Sequence, residues 1–76
     1  MLQPDMRVRA ISTYNIVEKG MVGTFFSLGY SEDVCWIVWD EKMNAQLNVY
    51  LIPLGLPSDK YAYTYDVPCY HIEIIQ

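Results

Sequence analysis

Lys19-Gly-Met-Val-Gly-Thr-Phe-Phe-Ser-Leu28, followed after a polar turn by Val34-Cys-Trp-Ile-Val-Trp-Asp40, is the stretch whose reading decides the fold. Phe25, Phe26, Val34, Trp36, Ile37, Val38 and Trp39 are aromatic or β-branched side chains that suit a pleated, half-buried surface. Gly29, Ser31, Glu32 and Asp33 supply turn chemistry between the two runs, so the stretch reads as a β-hairpin. Trp36 and Trp39 have opposite parity on one strand and point to opposite faces, as Phe25 and Phe26 do on the other. A single sheet has one inner face. The outer aromatics therefore need a cover, supplied by the chain itself, by a second copy or by a ligand.

Outward from the hairpin, the chain divides into short segments. Met6 to Ile11 alternates, with Val8 and Ala10 on one face and Arg7, Arg9 and Ile11 on the other, which predicts a first strand after Pro4-Asp5. Ser12 to Lys19 reads as a long loop with one or two buried anchors, ending at Gly20. Gly20 and Gly23 fit a positive-φ turn and a close backbone approach at a bend, and no phosphate loop, because a strand and not a helix N-terminus follows them. Ala45 to Ile52 alternates again and predicts a fourth strand, after which Pro53, Gly55 and Pro57 end the ladder. Tyr61, Tyr63 and Tyr65 recur at period two and, if extended, share one face. Cys69 to Gln76 predicts the closing strand, with Tyr70, Ile72 and Ile74 on one side.

These elements predict one all-β domain over residues 1–76: a five-stranded SH3-like barrel, or a strongly bent antiparallel sheet, with an extended tyrosine-rich insertion before the last strand. The layout Met6-Arg-Val-Arg, Lys19-Gly-Met-Val-Gly-Thr, Cys35-Trp-Ile-Val-Trp-Asp and Ile72-Glu-Ile-Ile resembles SH3-like small barrels, and most of all the mind-bomb type of repeat with its Gly-x-x-Gly-Thr and Val-x-Trp-Asp pair. The resemblance covers the chain except Pro53 to Pro68, where the tyrosine segment replaces a short link. It implies a fold and no particular activity, since such barrels serve as peptide binders, nucleic-acid binders and inert subunits alike.

Composition narrows the function classes. Seventy-six residues hold one small core, which favours oligomerisation. Five Lys and Arg against nine Asp and Glu leave a net charge of −4, which repels a phosphate backbone, so no nucleic-acid partner is expected. An acidic decoy of a nucleic-acid-binding protein is a weaker alternative. No apolar run is long enough for a bilayer span. The start from Met1 to Arg7 lacks a basic region leading into an apolar one, and with two cysteines, Cys35 and Cys69, expected on non-adjacent strands as free thiols, the chain reads as cytosolic.

Chemistry-bearing residues are few. Cys69 and His71 at i and i+2 can be drawn as a nucleophilic pair oriented by Asp66 or Glu73, the small-enzyme alternative, but that spacing on a strand suits neither a tight contact nor a chelate. One His, two distant Cys and scattered carboxylates form no recognised metal set, so neither metal nor cofactor is expected. Asp40-Glu41 and Glu32-Asp33 read as solvated turn residues. The aromatics carry most of the functional content. Trp36, Trp39, Tyr50, Tyr61, Tyr63 and Tyr65 are the candidate binding surface of a protein- or peptide-interaction module or accessory subunit, with a homodimer as the favoured assembly.

Overall fold

The structure, a computed structural model, describes residues 2–29, 31–43 and 55–75. The expected fourth strand at Ala45 to Ile52 and the candidate Tyr50 lie outside the described residues. Among the described residues, five antiparallel strands form one sheet: β1 (Arg7–Ala10), β2 (Val22–Leu28), β3 (Val34–Trp39), β4 (Thr64–Pro68) and β5 (Ile72–Ile74), in the order β4-β3-β2-β1-β5. Of the two architectures expected, the described residues adopt the bent open sheet; among them β4 and β5 are its two edges, and the ladder does not close between these two.

The alternation of β1 places Val8 and Ala10 in the core, as their parity requires. The hairpin β2-β3 pairs Gly23 with Trp39, Thr24 with Val38 and Phe25 with Ile37. Phe26 then falls between the pairs Phe25↔Ile37 and Ser27↔Trp36, a bulge that leaves it without a partner on β3. The core on the inner face gathers Val8, Ala10, Val17, Phe25, Cys35, Ile37, Trp39, Met43, Val67 and Ile72. Val17 is the buried anchor of the 12–19 loop, whose Tyr14 and Val17 exchange backbone hydrogen bonds of 2.8 and 2.9 Å.

Gly23 sits where β2 lies closely against β3. A Cβ there would lie 2.8 Å from the Ile37 side chain and 2.8 Å from the Val38 carbonyl oxygen. Gly20, at φ +96°, has open space around it and is required by its backbone conformation instead.

The tyrosine segment departs from the expectation of one extended piece. Ser58–Tyr63 is a 3₁₀ helix, and only from Thr64 does the chain extend as β4. Pro57 sets the extended residue before the helix, and Thr64 closes it by donating its hydroxyl to the Lys60 carbonyl at 2.7 Å. Tyr61, Tyr63 and Tyr65 therefore do not share a face. The closing strand is likewise shorter than Cys69 to Gln76, because Cys69–His71 forms a second 3₁₀ turn that leaves Tyr70 in solvent.

The expectation of two free thiols is overturned. Cys35 and Cys69 form a disulfide, with Cα atoms 5.6 Å apart. The strand beside β3 is β4, which pairs Cys35 with Val67 and so brings Cys69, two residues on, within bonding reach. The bridge spans 34 positions, and by restricting the unfolded chain it contributes on the order of 4 kcal/mol.

Candidate functional site

The sequence offered six aromatic side chains as one surface, and the structure distributes those it describes over three environments. Trp39 is 1% exposed in the inner core, its indole N–H donating to the Tyr65 carbonyl at 3.3 Å. Trp36, on the outer face, is 3% exposed beneath Leu56, with Phe26, Val38 and Tyr61 packed around it. Both indoles are buried. Tyr61 thus helps cover the outer face, and Tyr65 packs against the inner core with its hydroxyl accepting from Asn15 Nδ2 at 3.3 Å. Tyr63 lines a cleft.

That cleft is the concave feature nearest the expected surface. Thr24, Val38, Trp39, Asp40, Lys60 and Tyr63 enclose about 430 Å³. A second hollow of about 240 Å³ shares Thr24, Val38 and Lys60 with it and adds Asp5, Phe25 and Phe26. The two read as one furrow across the outer face of β2 and β3. Sheet geometry supplies its floor, since Thr24 and Val38 are partners in the β2-β3 ladder. The 3₁₀ helix supplies Lys60 and Tyr63, and the turn at Asp5, at φ 72°, is tied to the floor by its N–H on the Phe25 carbonyl at 3.0 Å.

The charge at one end of the furrow is fixed. Arg7 donates from Nη1 to Asp40 Oδ1 at 2.9 Å and from Nη2 to Oδ2 at 2.5 Å, and Nη1 also reaches Thr24 Oγ1 at 2.8 Å. These hydrogen bonds above all hold the Asp40 carboxyl below the usual carboxylate range; burial opposes them, and the guanidinium's positive charge adds a smaller push downward. Asp40 therefore does more than the turn chemistry expected of it. Lys60, lining both hollows, is outside the ion pairs seen among the described residues, Arg7–Asp40 and Arg9–Glu73. Leu56 and Lys60 lie in the segment after Pro53, and no periodicity marks either as part of a site. Arg7, by contrast, was legible as outward-facing on β1.

The small-enzyme alternative fails on its nucleophile. The Cys69 sulfur is bonded to Cys35 and offers no thiolate. His71 instead places Nδ1 2.5 Å from Ser12 Oγ, and its ring lies between Tyr14 and Tyr70, with centroids 5.1 and 4.9 Å away. Among the described residues no group of three His, Cys, Asp or Glu side chains is placed to hold a metal ion. Comparisons with protein families, curated proteins and solved structures find no match for this chain.

Proposed function

We propose that this chain is a small protein-interaction module or accessory subunit that takes a peptide or protein segment into the furrow between β2, β3 and the Ser58–Tyr63 helix. The observation that carries this reading is the furrow's make-up: a floor of Thr24 and Val38 flanked by the rings of Phe26 and Tyr63, apolar at the Phe26 end, with the charged groups Asp5, Asp40 and Lys60 around it. Binding sites for chain segments combine an apolar base with a few placed polar groups. The charge balance supports a protein partner over a nucleic acid, because both arginines are engaged by carboxylates and the net charge is −4.

A homodimer belongs to the same proposal, but its support has changed. Leu56 and Tyr61 already cover Trp36, so a second copy is not needed for that side chain. The residual support is the exposed Leu28, Ile74 and Ile75 on so small a domain. The cytosolic location is also part of the proposal. No helix among the described residues is long and apolar enough to cross a membrane. The disulfide weighs against a reducing compartment, and acid-quenched alkylation of cell lysate reads which state the cysteines hold there.

Selection from a random peptide library tests the furrow. The wild-type chain should enrich clones whose binding is lost in both Val38→Glu and Lys60→Glu, two positions where the altered side chain reaches solvent. Absence of enrichment, or clones indifferent to both changes, would refute the reading.

A further inference from the structure

The disulfide joins two elements of unequal solidity. Cys35 is completely buried on β3, inside the best-paired part of the sheet. Cys69 opens the 3₁₀ turn Cys69–His71, which contains no buried side chain. Among the described residues the turn is also held by the Cys69 N–H on the Asp33 carbonyl at 2.7 Å, the Ile11 N–H on the His71 carbonyl at 2.8 Å and the Ser12–His71 side-chain contact; Cys69 leans on the inner core, and the residues on either side, Pro68 and Ile72, pair with Val34 and Ala10. On this turn stand Tyr70, 72% exposed, and His71, which with Tyr14 make a row of three rings on the surface, tilted by 58° and 44° at successive contacts. Rings in such a row hold one another only as well as the backbone beneath them is held.

We propose that the Cys35–Cys69 disulfide is a redox latch on this Tyr14–His71–Tyr70 surface. Closed, it pins the turn to β3 and keeps the three rings in register. Opened, the turn keeps its hydrogen bonds and its ends at Pro68 and Ile72 but loses the bond that fixes Cys69 between them, and the row loses its fixed geometry while the sheet stays folded. The chemistry is ordinary exchange with two monothiols of the glutathione class. A thiolate attacks the half-buried Cys69 sulfur; the S–S bond breaks, a mixed disulfide forms at Cys69, and Cys35 leaves and takes up a proton. A second thiolate then attacks the outer sulfur of that mixed disulfide, so that Cys69 also ends as a thiol and the two small thiols end as their disulfide. The protein gains two electrons and two protons, and the small thiols lose them. Burial of Cys35 confines attack to the Cys69 side and makes opening slow, as a latch set by the surrounding thiol pool requires.

The test uses the full chain, labelled for nuclear magnetic resonance, before and after reduction with excess glutathione, with alkylation confirming both thiols. The latch predicts loss of the Tyr14–His71 and Tyr70–His71 ring contacts and shifts confined to residues 11–17 and 69–75 and to Cys35 with its immediate neighbours and cross-strand partners Leu28 and Val67, the other β2 and β3 amide signals keeping their positions. The double variant Cys35→Ala, Cys69→Ala should reproduce the reduced spectrum without any reductant. Retention of the ring contacts after reduction would overturn the proposal, because the bridge would then be inert to the surface. Collapse of the β2-β3 signals along with the rest would overturn it equally, since the bridge would then be a staple for the whole fold.

Discussion

Arg7 grips the carboxylate of Asp40 with both terminal nitrogens and so ties β1 to the residue that follows β3, across the intervening strand. Because Asp40 is held below the usual carboxylate range in the folded chain, folding and ionisation are linked. The group contributes stability at every pH above its unfolded value of about 3.9, and that contribution is lost as pH falls through the lower folded value. Both side chains are about half exposed, so the gain at neutral pH is below about 1 kcal/mol. Urea melts of wild type and Asp40→Asn should differ by that amount at neutral pH and converge in strong acid. A difference that persists in strong acid would assign the loss to packing.

The two glycines of the Gly-x-x-Gly-Thr motif should respond to alanine for different reasons. Gly20→Ala meets no neighbour and loses only what a side chain costs at φ +96°, on the order of 1 kcal/mol. Gly23→Ala drives a methyl against the Ile37 side chain and the Val38 backbone and should cost more, about 2–3 kcal/mol. Gly20→Asn, which tolerates the left-handed region, should recover part of the first loss, and no polar residue should recover the second. Thermal melts of the three variants check the ordering.

Those glycines were legible in the sequence because a close backbone approach and a positive-φ turn leave a chemical mark. The parity of Trp36 and Trp39 was legible for a similar reason, since alternation follows directly from an extended backbone. The same rule misplaced Tyr61, Tyr63 and Tyr65. Period two has meaning only on a strand, and Ser58 to Tyr63 coils after Pro57. Nothing in the tyrosines themselves signals that change. The disulfide was hidden by the same error: with the tyrosine segment set aside as an insertion, β4 was assigned elsewhere and Cys69 lost its route to Cys35. The furrow escaped because its lining comes from β2, β3, the N-terminal turn and the 3₁₀ helix, which only the folded chain brings together.

Leu56 is the cover of the outer tryptophan, and its truncation should be read by that tryptophan. Leu56 is 6% exposed, and Leu56→Ala removes most of its side chain from a small cluster that can partly close, at about 2 kcal/mol. In a Trp39→Phe background, Trp36 is the sole indole, and its emission should move to longer wavelength in Leu56→Ala as water reaches the ring. An unchanged spectrum would mean that Phe26 and Tyr61 suffice as cover.

The three tyrosines, equivalent by spacing, should separate into three classes on truncation. Tyr65 leans on the inner core from β4, so Tyr65→Ala should be the most costly, about 2 kcal/mol for a ring that keeps some exposure. Its hydroxyl matters little, because the contact from Asn15 is 3.3 Å long and lies at the surface; Tyr65→Phe should therefore melt within about 0.5 kcal/mol of wild type. Tyr61 flanks Trp36 beside Leu56, and with Leu56 still in place Tyr61→Ala should cost about 1 kcal/mol and move the Trp36 emission slightly. Tyr63 lines the furrow, so Tyr63→Ala should leave stability nearly unchanged and weaken whatever peptide the furrow selects. Tyr65 stands apart because the chain turns from helix to strand between Tyr63 and Tyr65, and Tyr61 and Tyr63 differ because one packs on Trp36 while the other lines the furrow. Equal destabilisation by all three would restore a shared face and contradict that turn.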